Sequence, residues 1–344
     1  MAFQIFDLPP LGSVEPFPAF NPFLFCVHHL DHYPPGNNEF GPSRGLEGRK
    51  LGSDFEGRDG WRMYHGQKVP GFPRHPHRGF ETITIVQQGF VDHSDSIGFA
   101  ARYGPGDVQW MSAARGVAHA EMFPLLRPDA PNVVELFQIW LNLPKKSKWS
   151  KPELKMMWAG STPRISEGRA RIWLISGEWG PHRAPSPPQA SWAADPEAEV
   201  RIALFELEKN HRIELPRVLD QKTACTLYHF MGDAPLRVIH GGHEPALLYP
   251  RQGIHLAGAD LFAIESTGKS EALMLQGRPI EEAVVAHGPF VMNTREEILD
   301  AFRDYARTGF GSWDWPSFEP VHGRALASFL RYPDGRIEQP NSVI

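Results

Sequence analysis

Two short segments of the chain carry residue types at a spacing that suits metal chemistry. The first, Phe72-Pro-Arg-His75-Pro-His77-Arg-Gly-Phe-Glu81, sets two histidines two positions apart. In an extended backbone, side chains at i and i+2 point to the same side, so the imidazoles of His75 and His77 can converge on one point. Pro76 between them has no N–H for a ladder, which favours a sheet edge or a strand start. The second segment, Arg115-Gly-Val-Ala-His119-Ala-Glu121, repeats the spacing with an imidazole and a carboxylate. Two such pairs on antiparallel strands facing one lumen can offer three nitrogens and one oxygen to a divalent transition metal. One His-x-His in a chain of sixteen histidines is ordinary decoration. Two i, i+2 pairs, each framed by Pro/Gly turns and β-rich sequence, single out His75, His77, His119 and Glu121 as a candidate ligand set.

Other polar residues read differently. Glu81 follows the histidine pair on a strand and is expected to be structural, since strand acids are commonly paired. His93 and Asp95 come after the Gly89 turn and read as solvated loop residues near the mouth of the site. His240 and His243 make a loose HxxH with His255 downstream, but no carboxylate of matching spacing follows. The second half is therefore expected to hold no metal. Trp110, Met111 and Met122 read as core.

The positioning elements are strands. The 344 residues include 32 glycines and 33 prolines, well above usual turn chemistry, which argues for many short strands and against a helical bundle. Residues 1–60 read as loop-rich, with strand signal starting after Pro73: 81–88, 90–93, 108–111 and 133–143. The charged, proline-bounded stretch 144–152 is the best linker candidate. A second series follows at 171–176, 200–207, 212–215, 226–230 and 261–265, interrupted by a proline-rich loop at 181–196. A helix at 295–308 is signalled by a Thr294/Glu297 capping box, by Ile298, Phe302 and Tyr305 on one face, and by Gly309 as C-cap. This gives an N-terminal barrel over 1–150 and a C-terminal barrel over 151–310 ending in the helix. A tail over 311–344 is expected to lie on the barrels as an extended arm.

Composition excludes several classes. At 41% hydrophobic and 22% charged, the chain can bury a sizeable core. A net charge of −5 gives no basic surface for nucleic acid. Cys26 and Cys225 lie too far apart in sequence for a zinc-knuckle or CxxC pattern, and a reducing, cytoplasmic location fits best. No apolar run reaches the ~20 residues of a membrane span.

The segments His75-Pro-His77-Arg-Gly-Phe-Glu-Thr82, Gly104-Pro-Gly-Asp-Val-Gln-Trp-Met111, Gly116-Val-Ala-His119-Ala-Glu121 and Gly288-Pro-Phe-Val-Met-Asn-Thr-Arg295 resemble the signatures of the pirin family, two-domain members of the cupin superfamily. The resemblance runs from about Asn21 to about Phe310. It implies an all-β fold of two tandem cupin-type antiparallel β-barrels, a bicupin, with a short C-terminal helix. It places His75, His77, His119 and Glu121 at the positions of the family's iron ligands. It further implies Fe²⁺ as cofactor, O₂ as co-substrate, a small aromatic or phenolic substrate and quercetin 2,3-dioxygenase-like chemistry with Glu121 as proton acceptor. The alternative it carries is an iron-binding, redox-sensing regulator that acts through a protein partner. Two stretches depart from the family pattern: Phe20 to Gly71 is longer and more irregular, and the residues after Gly311 exceed the usual end. Both are expected to reshape the pocket mouth.

Overall fold

Turn-rich, β-branched sequence closes into antiparallel sheets, and among the described residues the single α-helix is Arg295–Thr308. The computed structural model describes residues 3–240, 244–258, 261–325 and 327–340. Ten strands fill the first part of the chain: β1 (Phe3–Asp7), β2 (Phe23–Tyr33), β3 (Gly71–His77), β4 (Phe80–Gln88), β5 (Val91–Asp95), β6 (Ala100–Tyr103), β7 (Val108–Ser112), β8 (Val117–Met122), β9 (Asn132–Asn142) and β10 (Glu153–Met157).

Two compact units result, and neither is continuous in sequence. One comprises Met1–Leu11, Glu15–Cys26 and Ser161–Glu281; the other comprises Gly12–Val14, Val27–Gly160 and Glu282–Ile344. Sequence placed the division at 150 and 310, whereas these units change over near 160 and 281. The chain returns at Glu282 to the unit that holds both histidine motifs, so the helix belongs there and not with the second series of strands. Its Ile298 and Ala301 pack with Phe290, Met292 and Phe310. The capping box forms as expected, and Gly309 closes the helix in the left-handed region at φ 61°.

In this unit a five-stranded sheet, ordered β10-β7-β4-β9-β2, faces a six-stranded sheet in which β6, β5, β8 and β3 are consecutive neighbours. Val86, Leu136 and Leu154 from the first meet Val91, Tyr103 and Leu330 from the second in one apolar core. The other unit is built on a seven-stranded sheet with β1 at its edge and a four-stranded sheet. Its core gathers Ile172, Leu174, Phe205, Leu227, Ile254 and Met274.

Three sequence expectations change here. Strand structure begins at Phe3, not after Pro73; in β2 the run Phe23-Leu-Phe-Cys-Val-His-His-Leu-Asp-His-Tyr33 mixes apolar and polar residues that are mostly buried alike. The stretch 144–152 is no linker. Lys148 is buried in it, donating from Nζ to the carbonyl of Gly79 at 2.6 Å, to Asn142 Oδ1 at 2.7 Å and to the carbonyl of Val291 at 3.1 Å. Burial draws its pKa down to about 8.

The tail is likewise an integral part of a sheet. Its segment Phe329–Arg331 pairs antiparallel with β6, extending the six-stranded sheet at that edge. Leu330 is fully buried, and Trp158 Nε1 donates to Glu338 Oε1 at 2.7 Å. Leu330→Ala is therefore expected to cost about 2–5 kcal/mol, read from the denaturant midpoint, whereas a loosely laid arm would lose under about 0.5 kcal/mol.

Candidate metal centre

The candidate site lies on the inner face of the six-stranded sheet. β3 and β8 run antiparallel with His75 opposite His119 and Phe72 opposite Glu121, and a register shift between Phe72 and His75. Directly opposed residues project to the same face, so the two motifs meet as their spacing requires. Gly71 permits this approach: at φ 131° it carries no Cβ, which would stand 2.4 Å from the carbonyl oxygen of Glu121.

Three imidazoles converge. Each of His75, His77 and His119 offers a nitrogen, and these atoms lie within 4.8 Å of one another. Ring centroids are 4.4 Å apart for His75–His119 and 5.0 Å for His77–His119. His77 and His119 are buried while His75 is partly exposed, so the site approaches solvent on the His75 side. The Nδ1–H of His75 donates to the carbonyl of Pro73 at 2.8 Å. A carbonyl can only accept, so this bond fixes the tautomer and leaves the Nε2 lone pair free to ligate.

The donor set fits a metal ion. Neither ring nitrogen of His119 has a hydrogen-bond partner, although the ring is buried. Such an imidazole is costly unless a ligand satisfies it. Burial is the main cause that lowers all three histidines: His75 to about 4, and His77 and His119 well below the usual range. Neighbouring imidazoles push the same way. The rings are thus neutral at neutral pH and present lone pairs.

Glu121 sits beside them. Its Oε2 is 3.9 Å from His119 Nε2. Gln138 Nε2 donates to the same oxygen at 3.1 Å, while the hydroxyls of Thr84 at 3.1 Å and Tyr103 at 3.4 Å donate to Oε1. Burial raises the Glu121 pKa, and these donors work against the rise. A carboxylate offers about four lone-pair sites, so capacity for a metal bond remains.

Because protons compete with metal for imidazole lone pairs, the lowered values set a pH window. A group whose folded pKa lies below its ordinary value stays neutral until the pH falls to the folded value. Metal should therefore be retained well below the ordinary imidazole range and be lost toward pH 4 as His75 takes up its proton, followed by metal content after desalting. Half-release near pH 6.5 would show ordinary, solvated imidazoles instead.

The remaining residues fall as follows. Glu81, Trp110, Met111 and Met122 are buried, and Glu81 lies outside the three-histidine group. His93 and Asp95 are not solvated loop residues: both are buried on β5, opposite Glu121 and His119 respectively. His93 Nε2 and Asp95 Oδ2 are 3.1 Å apart, and the His93 ring stands 5.3 Å from that of His119. Sequence offered little signal for this: Asp92-His-Ser-Asp95 is polar throughout and lacks the alternation of a strand, yet the strand runs on to Asp95. Thr84, Tyr103 and Gln138 were not singled out by sequence, having no motif of their own. In the other unit, His255 hydrogen-bonds Thr226 Oγ1 at 2.9 Å and stacks on Phe20 at 3.8 Å. His243 lies outside the described residues. Among the described residues, His75, His77 and His119 are the one group of three that could hold a metal. No helix among them is long and apolar enough to cross a membrane.

Comparison with known proteins agrees with this architecture. Residues 46–141 match the pirin family profile and residues 202–311 the pirin C-terminal cupin domain. A Pseudomonas aeruginosa protein, provisionally named quercetin 2,3-dioxygenase, is 34% identical over 71% of this chain and 80% of its own length. Pirin of Rattus norvegicus is 31% identical over 74% of this chain and 83% of its own. The crystal structure of quercetin 2,3-dioxygenase from Acinetobacter baumannii shares the fold with a TM-score of 0.69, covering 90% of this chain and 97% of that one at 24% identity. A mostly-strand chain with two cupin domains, a short C-terminal helix and these relatives belongs to the pirin family.

Proposed function

We propose that this chain is a metal-dependent dioxygenase of the quercetin 2,3-dioxygenase type, acting on a flavonol or related phenol with Fe²⁺ as cofactor and O₂ as co-substrate. The observation that carries the reading is the convergence of three neutral imidazoles within 4.8 Å beside the hydrogen-bonded carboxylate of Glu121. The provisional name of the Pseudomonas relative supports the substrate class.

His75, His77, His119 and Glu121 would hold the metal. An Fe²⁺ ion bound there supplies a Lewis-acidic position for the flavonol 3-hydroxyl and a redox partner for O₂. The chain's own part is acid–base and electrostatic. Glu121 takes the 3-hydroxyl proton, and Thr84, Tyr103 and Gln138 hold its two oxygens in place meanwhile. Burial keeps the imidazoles neutral and water scarce around the flavonolate. In the overall reaction both atoms of O₂ enter the product and the central ring loses one carbon as carbon monoxide.

The test is quercetin loss under air by metal-stripped protein reloaded with Fe²⁺, with carbon monoxide release measured alongside. Turnover that appears only on reloading supports the reading. Iron bound without turnover overturns it and favours the redox-regulator alternative.

A further inference from the structure

The Phe20–Gly71 stretch contributes two aromatic rings, Phe55 and His65, that connect to the partly exposed His75 through Phe72. Phe72 is opposite Glu121 across β3 and β8, so it is on the site's face of the sheet. Its ring is 6.3 Å from that of His75 and 6.1 Å from that of His65. The His65 ring is in turn 4.9 Å from that of Phe55. His65 is exposed, and Phe55, Phe72 and His75 are partly so. A continuous run of aromatic rings thus leads from solvent to the metal-site histidine.

The run is held in place. His65 Nδ1–H donates to the carbonyl of Gly52 at 2.9 Å, and its backbone N–H donates to the carbonyl of Gly71 at 3.1 Å. The preceding residue, Tyr64, adopts φ 56°, a left-handed conformation unusual for a bulky side chain. Its hydroxyl donates to Asp31 Oδ2 at 2.6 Å and lies 2.8 Å from His29 Nδ1, and its backbone exchanges two hydrogen bonds with Asp54. Strain of this kind persists only where the surroundings over-determine it, and it collects at sites that need a fixed geometry.

We propose that Phe72, His65 and Phe55 form an aromatic subsite at the mouth of the metal centre, which seats the second ring of a planar, multi-ring phenol and so determines specificity. The proposal deepens the dioxygenase reading and rests on it for the ring whose oxygen meets the metal. Offset and edge-to-face stacking against these rings rewards a flat, extended substrate and gives nothing to a single-ring phenol too short to reach them.

The probes are quercetin and catechol, titrated into Fe²⁺-loaded protein under argon so that no turnover occurs. His65→Ala and Phe55→Ala together should weaken quercetin binding about 5- to 30-fold, leaving catechol binding and iron content unchanged. His65→Phe alone, which keeps a ring at the exposed position and leaves the core untouched, should keep quercetin binding near the native affinity. Unchanged quercetin affinity in the double variant, or equal weakening of both phenols, overturns the subsite while the dioxygenase reading stands. A wild-type protein that holds iron and binds neither phenol overturns both.

Discussion

His119→Ala protein is expected to emerge from Fe²⁺ loading and desalting with little metal, and to turn over quercetin on the order of 10³-fold more slowly than the parent. The His119 ring is 4.4 Å from that of His75 and 5.0 Å from that of His77, which are 4.8 Å apart, so it forms one corner of the imidazole triangle. Both its nitrogens are buried without hydrogen-bond partners, so the side chain contributes no hydrogen bond to the fold. Its loss should therefore leave the fold standing, checked by circular dichroism, and remove metal affinity selectively. Wild-type metal content in folded His119→Ala protein would sink the assignment.

Glu121→Gln separates ligation from proton transfer. An amide of the same shape still has an oxygen to offer the metal and still faces the donors Thr84, Tyr103 and Gln138. It cannot accept the phenolic proton. Turnover should fall about 10²- to 10⁴-fold with much of the iron retained. Full activity in the metal-loaded variant would remove Glu121 from the proton step. The raised pKa of Glu121 fits an acceptor whose charge is costly to keep buried, and the three donors keep that cost within reach.

The same residues show how far sequence reasoning reached. The i, i+2 spacing in His75-Pro-His77 and His119-Ala-Glu121 determines which side chains share a face, because the strand period is local. The resemblance to pirins then placed the two pairs in one barrel. Thr294, Glu297 and Gly309 likewise settle the ends of the helix by short-range hydrogen bonding. Neither period nor cap says which strands become neighbours. Thr84 and Gln138 reach Glu121 from the facing sheet only because two sheets close on a common core. His93 and Asp95 look like loop residues until β5 pairs with β8.

The sequence by itself determined an all-β chain, the residues proposed as ligands and the strand face each pair shares, since each follows from residue type and backbone geometry over a few positions. Tertiary structure alone decided that Lys148 is a buried clamp and that the chain returns at Glu282 to the first barrel. It also paired the tail at Leu330 with β6 and joined His65 and Phe55 to His75 through Phe72. These depend on contacts between segments tens to hundreds of residues apart, which are fixed by burying apolar surface as a whole and satisfying every enclosed polar group, and no local pattern encodes that sum.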